Sequence, residues 1–271
     1  MVGQLNKIFF FFLVTFFFNQ NLLAIEFKGK FEQGNFILGK VASGSKVFVD
    51  NRKVKVTDDG YFAFGLSRDR KNNIIIKVSK DGRSKTFEKR IFKRKYKIQR
   101  IDGLPEKKVT PPKEVYERIK RENGLIGKAR SIESDLTFFK NKFISPLENS
   151  IVTGVYGSQR ILNGKPKWPH YGIDFAAKEG TEIKAMLSGT ATMVEPDLFY
   201  TGGTLIFDHG HGISTLYMHM KDIYIKQGQK VKQGQIIGTV GSTGRSTGPH
   251  LDVRLNWFDV RLDPATVLDL K

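Results

Sequence analysis

From residue 151 to the C-terminus the chain contains no amphipathic stretch of helix length; it runs in short apolar segments cut by glycine. Segments such as 190–194, 204–208, 214–219 and 235–240 have the length and the β-branched or aromatic content of strands. Glycines at 154, 157, 189, 202, 203, 210, 212, 228, 234, 238, 241, 244 and 248 set the turns between them. A chain interrupted this often folds as an antiparallel β domain. Hydrophobic residues make up 39% of the 271 and charged residues 27%, enough apolar material for a sizeable core and two modest domains.

The upstream part is also β, but of a different kind. Between residues 25 and 100, segments 35–38, 46–49 and 74–78 alternate with turn residues, and the spacing predicts a small immunoglobulin-like sandwich. Asp59-Gly60 and Asp81-Gly82 each lie between two such runs, and Asp-Gly is a strong hairpin signal. Residues 101–145 read as a charged, partly helical connector. A helix opens at Thr110-Pro111-Pro112 and stops at Gly124, with a second short helical piece over 125–131. This connector is expected to pack loosely or to ride on a partner. The fold class is therefore mainly β: a C-terminal antiparallel domain over 146–271, preceded by the small sandwich and the connector.

At the N-terminus, Lys7 precedes the apolar run 8–18, polar Asn19-Gln20-Asn21 and small Ala24. The run is shorter than the roughly 20 residues a bilayer needs, so residues 1–24 read as an export signal rather than an anchor or a buried strand. Export places the mature protein in the periplasm or cell envelope. The absence of cysteine removes disulfide frameworks, thiolate nucleophiles and thiolate zinc sites.

All five histidines, at 170, 209, 211, 219 and 250, lie in the C-terminal domain. His170 and Asp174 are four apart at the entry to a strand. His219 ends a strand. His250 and Asp252 share one strand face, because side chains alternate. Imidazole and carboxylate are the zinc ligands available without thiols, and a catalytic site uses three, leaving a position for water. Histidines beyond the ligand set can move a proton or stabilise an oxyanion. His209 and His211 sit in an Asp-His-Gly-His-Gly turn and are assigned to structure or to the cleft lining, although their spacing could mimic a metal pair. Tyr200, Tyr217 and Trp257 are read as core residues before substrate contacts. The glycines at 241, 244 and 248 shape a turn; no Lys-Ser/Thr follows to make a phosphate loop.

These motifs resemble the lysostaphin-type (LytM-like) zinc metallopeptidases, which cleave peptide bonds in bacterial peptidoglycan. The resemblance covers about residues 151–264. It includes the segment 154–160, the His-x-x-x-Asp motif at His170 and Asp174, the strands 203–210 and 215–219, and the loop 241–250. It implies that His170 and Asp174 are metal ligands and that His219 and His250 are the assisting catalytic pair. The family's last motif is His-x-His, its second His being the third ligand; here that position is Asp252. The resemblance thus implies one divalent metal, zinc, on His170, Asp174 and Asp252. An added carboxylate predicts weaker zinc binding, competition from a harder metal such as manganese, and a higher pH optimum.

The net charge of +18 is uneven. Residues 1–145 carry 32 of the 45 Lys and Arg but only 15 of the 27 Asp and Glu. Such a basic half suits an anionic wall polymer or membrane surface, and export argues against nucleic acid. Peptidoglycan is the partner that the resemblance implies for the C-terminal half.

Overall fold

The structure, a computed structural model, describes residues 23–148 and 150–268. The expected export segment lies outside the described residues except for its last two positions. None of the described helices is long and apolar enough to cross a membrane.

The N-terminal part has seven strands: β1 (Ile25–Lys28), β2 (Phe36–Val41), β3 (Lys46–Val49), β4 (Arg52–Val54), β5 (Tyr61–Gly65), β6 (Ile74–Lys80) and β7 (Arg83–Lys89). They form two antiparallel sheets, in the orders β1-β2-β5 and β4-β3-β6-β7. Alternation drives β6, in which Ile74, Ile76 and Val78 are buried and the residues between them face out. Asp81-Gly82 makes the expected hairpin: Lys80 pairs with Arg83, and both loop residues have positive φ, as a two-residue turn of this twist requires. Asp59-Gly60 does not. β4 pairs with β3 and β5 with β2, so this turn carries the chain from one sheet to the other. Thr57 holds it, bonding the Tyr61 amide and the Asp59 carboxylate.

The connector departs most from expectation. β8 (Ile98–Ile101) is followed by α1 (Glu106–Val109), a 3-10 turn at Lys113–Val115, and α2 (Tyr116–Arg130). The helix runs through Gly124 and Gly127 rather than stopping at the first. Nor does it pack loosely. Ala129 and Ile126 close on Met193, Leu198, Ile206 and Leu216, and Glu122 accepts the Phe199 amide while pairing with Arg118. Burial of that face outweighs the roughly 1 kcal/mol that each glycine costs a helix.

The C-terminal strands are β9 (Ile151–Gly154), β10 (Gln159–Leu162), β11 (Lys165–Pro166), β12 (Ile173–Ala176), β13 (Glu182–Lys184), β14 (Gly189–Leu198), β15 (Gly202–Asp208), β16 (Ile213–Ile223), β17 (Lys230–Val231), β18 (Ile236–Val240), β19 (His250–Trp257) and β20 (Val260–Leu262). The main sheet runs β17-β14-β15-β16-β19-β12-β9, all antiparallel. β15 is buried along its whole length because α2 covers one face and the main core the other. As expected for core residues, Tyr217 and Trp257 are buried; the Tyr217 hydroxyl accepts the Met186 amide.

One hydrophobic core joins the two halves. Phe64 of β5 meets Trp257 edge-on at 6.5 Å, and Gly65 lies against the Leu262 side chain. Arg94 pairs with Asp263 at 2.8 Å, and β8 adds a parallel strand to β10.

Candidate metal centre

The pairing of β12 with β19 sets Asp174 directly opposite Asp252, and Ala176 opposite His250. Two buried carboxylates placed across a strand pair repel each other unless something between or beside them carries positive charge. Here they are only 7% and 1% exposed. His170, just ahead of β12, completes the group. Its Nε2 is 3.2 Å from Asp174 Oδ1 and its Nδ1 is 3.9 Å from Asp252 Oδ2. One ligand atom from each of the three lies within 4.8 Å of the others.

Both His170 ring nitrogens and Asp174 Oδ1 are buried without a hydrogen-bond partner. Each such orphan costs about 1–3 kcal/mol. Three of them gathered beside a second carboxylate satisfy the donor chemistry of a divalent cation, so the residues fit the metal that the sequence implies. The backbone makes room for them. A Cβ at Gly172 would overlap Asp252, and one at Gly154 would overlap Asp174.

Two arginines complete the charge balance. Arg160 donates Nη2 to Asp174 Oδ2 at 2.6 Å, leaving Oδ1 free. Arg254 donates Nη2 to Asp252 Oδ2 at 3.0 Å and approaches Oδ1 through Nε at 3.4 Å. Burial alone would raise the Asp252 pKa, but Arg254 and His170 pull it well below the usual carboxylate range. For Asp174, burial and the Asp252 charge push upward; His170 and Arg160 outweigh them, and its pKa is lowered too. Both stay ionised.

His219 lies within β16, not at a strand end, at the point where β16 changes partner. Met218 pairs with Asp252 of β19, whereas Met220 pairs with Val240 of β18. At this switch His219 has φ +63, a left-handed conformation costly for a non-glycine residue. Its amide is held by the Thr201 carbonyl at 2.8 Å. The ring donates Nδ1–H to the Thr243 carbonyl at 2.8 Å, which leaves Nε2 as an acceptor. Burial, with His250 adding to it, lowers the His219 pKa to about 4, so the ring is neutral near pH 7. The His250 ring stands 4.7 Å from it, centroid to centroid, and its Nδ1 is tied to the Gly248 carbonyl at 2.8 Å. The turn 241–248 thus supplies backbone acceptors that fix one tautomer of each histidine.

The remaining histidines are elsewhere. His209 is fully buried, with Nδ1 on the Ser188 carbonyl and Nε2 on the Thr215 hydroxyl, both at 2.8 Å. His211 stacks on Phe139 at 4.6 Å. The structure therefore brings together His170, Asp174 and Asp252, and separately His219 and His250, and leaves 209 and 211 out. Arg160 and Arg254 carried no expectation from sequence. The signal for Arg254 was present: Asp252 and Arg254 are two apart on a strand and so share a face.

A buried His–Asp–Asp cluster on an antiparallel sheet, with a pair of hydrogen-bonded histidine rings nearby, has the donor set that a mononuclear metal centre needs. Comparison with known proteins agrees with that class. The sequence model of peptidase family M23 matches residues 168–264, a span that holds all five site residues. The chain is 42% identical over 87 residues to the peptidoglycan DD-endopeptidase ShyA of Vibrio cholerae, which covers 32% of this chain and 20% of that protein. It is 33% identical to the catalytic domain of lysostaphin from Staphylococcus simulans, over 43% of this chain and 90% of that one, with a TM-score of 0.39. The putative M23 peptidase of Pseudomonas aeruginosa is 24% identical and shares the fold, with a TM-score of 0.68 over 88% of this chain and 95% of that one. The match to the family M23 model lies in the C-terminal domain and takes in about a third of the chain. The stretch the chain shares with ShyA is about a fifth of that protein's length.

Proposed function

We propose that this protein is a metal-dependent endopeptidase that hydrolyses peptide bonds in the bridges or stems of bacterial peptidoglycan, acting in the periplasm or cell envelope. The observation that carries this reading is the convergence of orphaned buried atoms on His170 and Asp174 with Asp252, next to His219 and His250. In this reading His170, Asp174 and Asp252 hold one divalent cation, zinc in the first place. When bound, it would supply Lewis acidity toward the scissile carbonyl and acidify a water. His219, neutral and fixed through Nδ1, offers Nε2 as the proton acceptor. His250, fixed in the same way, can return that proton to the leaving amine or stabilise the developing oxyanion. The substrate class rests on similarity to proteins such as ShyA, named as a peptidoglycan DD-endopeptidase.

The same reading assigns residues 25–100 and the connector over 101–145 to docking, with 146–271 as the peptidase domain. The basic edge strand β7, exposed along most of its length, suits an anionic wall polymer or membrane surface rather than nucleic acid.

The test is digestion of purified peptidoglycan with and without a chelator. Peptide fragments released only without chelator, and lost in the His219→Ala variant by a factor of roughly 10²–10⁴, are the expected result. One observation favours a second reading, a wall-binding regulator without catalysis: both carboxylates already have arginine partners. Sedimentation with peptidoglycan without any chelator-sensitive release would support that reading and refute the first.

A further inference from the structure

Asp252 does not act alone. Arg254 lies on the same face of β19, two residues on, with its guanidinium against both oxygens of the Asp252 carboxylate. Asp252 is 1% exposed and the Arg254 side chain 22%, so their charges meet largely out of water. Arg254 is also crowded against the β12 entry, since a Cβ at Gly172 would overlap both Asp252 and the Arg254 stem. An ionised carboxylate has about four lone-pair positions. The guanidinium engages two of them, which leaves room for a cation on the His170 side.

We infer that Arg254 is a positioning residue that cancels the charge of Asp252, so that the pair together stands in for one neutral imidazole ligand of the metal. The inference rests on the metal-centre reading above. With Arg254 counted, His170, Asp174 and the Asp252–Arg254 pair carry one net negative charge. Two histidines and one aspartate carry the same. The raised pH optimum expected from Asp252 counted without its cation is then largely offset, whereas by net charge an uncompensated carboxylate would tighten zinc binding rather than weaken it. Arg160, on the outer oxygen of Asp174, Arg130, near Arg254, and Arg245, within electrostatic reach of both Asp252 and Arg254, are the other cations facing this group. None of the three touches Asp252 in a hydrogen bond.

The test measures zinc affinity of the full chain by competition with a chromogenic chelator at fixed pH and ionic strength, a readout independent of hydrolysis. Affinity is expected to follow the net charge. Arg254→Met should bind zinc at least tenfold more tightly than wild type, and Asp252→His at least tenfold more weakly. The double variant, with two imidazoles and no added cation, should return to within about threefold of wild type. Arg254→Lys, which keeps the charge, should stay near wild type. Among the folded variants, the pH at which peptidoglycan hydrolysis reaches half its maximum should rise in Arg254→Met and fall back in the double variant.

Weaker binding in Arg254→Met overturns the inference, because a residue that only props up Asp252 loses affinity on removal. So does an Asp252→His variant that binds as tightly as the double variant. Thermal unfolding of each metal-free variant checks folding. If Arg254→Met does not fold, Arg254→Gln removes the same charge and is subject to the same criteria. Wild-type protein that binds no zinc or manganese would sink the metal-centre reading itself, a result distinct from a wrong order among the variants.

Discussion

At the scale of single residues, histidine burial has consequences beyond the metal centre. His209 is completely buried, and burial lowers its pKa to about 4, against about 6.5 in an unfolded chain. The folded state keeps this ring neutral while the unfolded state protonates it. Its contribution is therefore fully present above pH 6.5 and is lost as pH falls from there toward 4, about 3 kcal/mol over the window. Denaturant unfolding of wild type and His209→Gln at pH 7.5 and pH 4.5 should show the wild type losing about that much more stability. Parallel acid losses in the two proteins would refute the assignment. Much of the candidate site was legible in single residues. His170, Asp174, His219 and His250 stand in ordered local motifs, and the Asp252 departure was visible as one changed letter. The arginines were not, because a guanidinium five atoms from the backbone finds its partner through the fold rather than through the sequence. The left-handed backbone at His219 was equally hidden, since it follows from a change of strand partner that no neighbouring residue announces.

Among elements, the strands and turns show where local chemistry decides. Segment 46–49 and the Asp81-Gly82 hairpin were readable, since alternation and two positive φ values are local requirements. Asp59-Gly60 has the same letters, but the partners of β4 and β5 lie in different sheets. Tertiary pairing overrode the turn signal. Helix α2 teaches the same lesson in reverse. Gly124 reads as a stop and Gly127 as a weak point in a second short helix, yet one helix passes through both because its buried face holds it. Nothing lies within 4 Å of a Cβ placed at either position. Gly124→Ala and Gly127→Ala should each raise stability by roughly 0.5–1 kcal/mol, with hydrolysis unchanged. A loss of stability at either position, measured by chemical denaturation, would mean that the helix needs those glycines for something other than its own backbone.

For the whole molecule, the shared core predicts cooperative behaviour. Phe64 against Trp257, Gly65 against Leu262, and the Arg94–Asp263 pair tie the N-terminal sheets to the last strands. Calorimetry should show a single unfolding transition; two separated transitions would show that the halves are independent. The order of the main sheet has another consequence. β19 sits between β16 and β12, both of which precede it in the chain by dozens of residues. Until the ribosome has passed Trp257, those two neighbours face an empty slot with open edges, and Asp252 is not in place to join His170 and Asp174. A nascent chain therefore has no assembled His170–Asp174–Asp252 cluster at any earlier moment. With this topology the cluster closes only when the central slot is filled, so the last step of sheet assembly and the completion of the candidate site are one event.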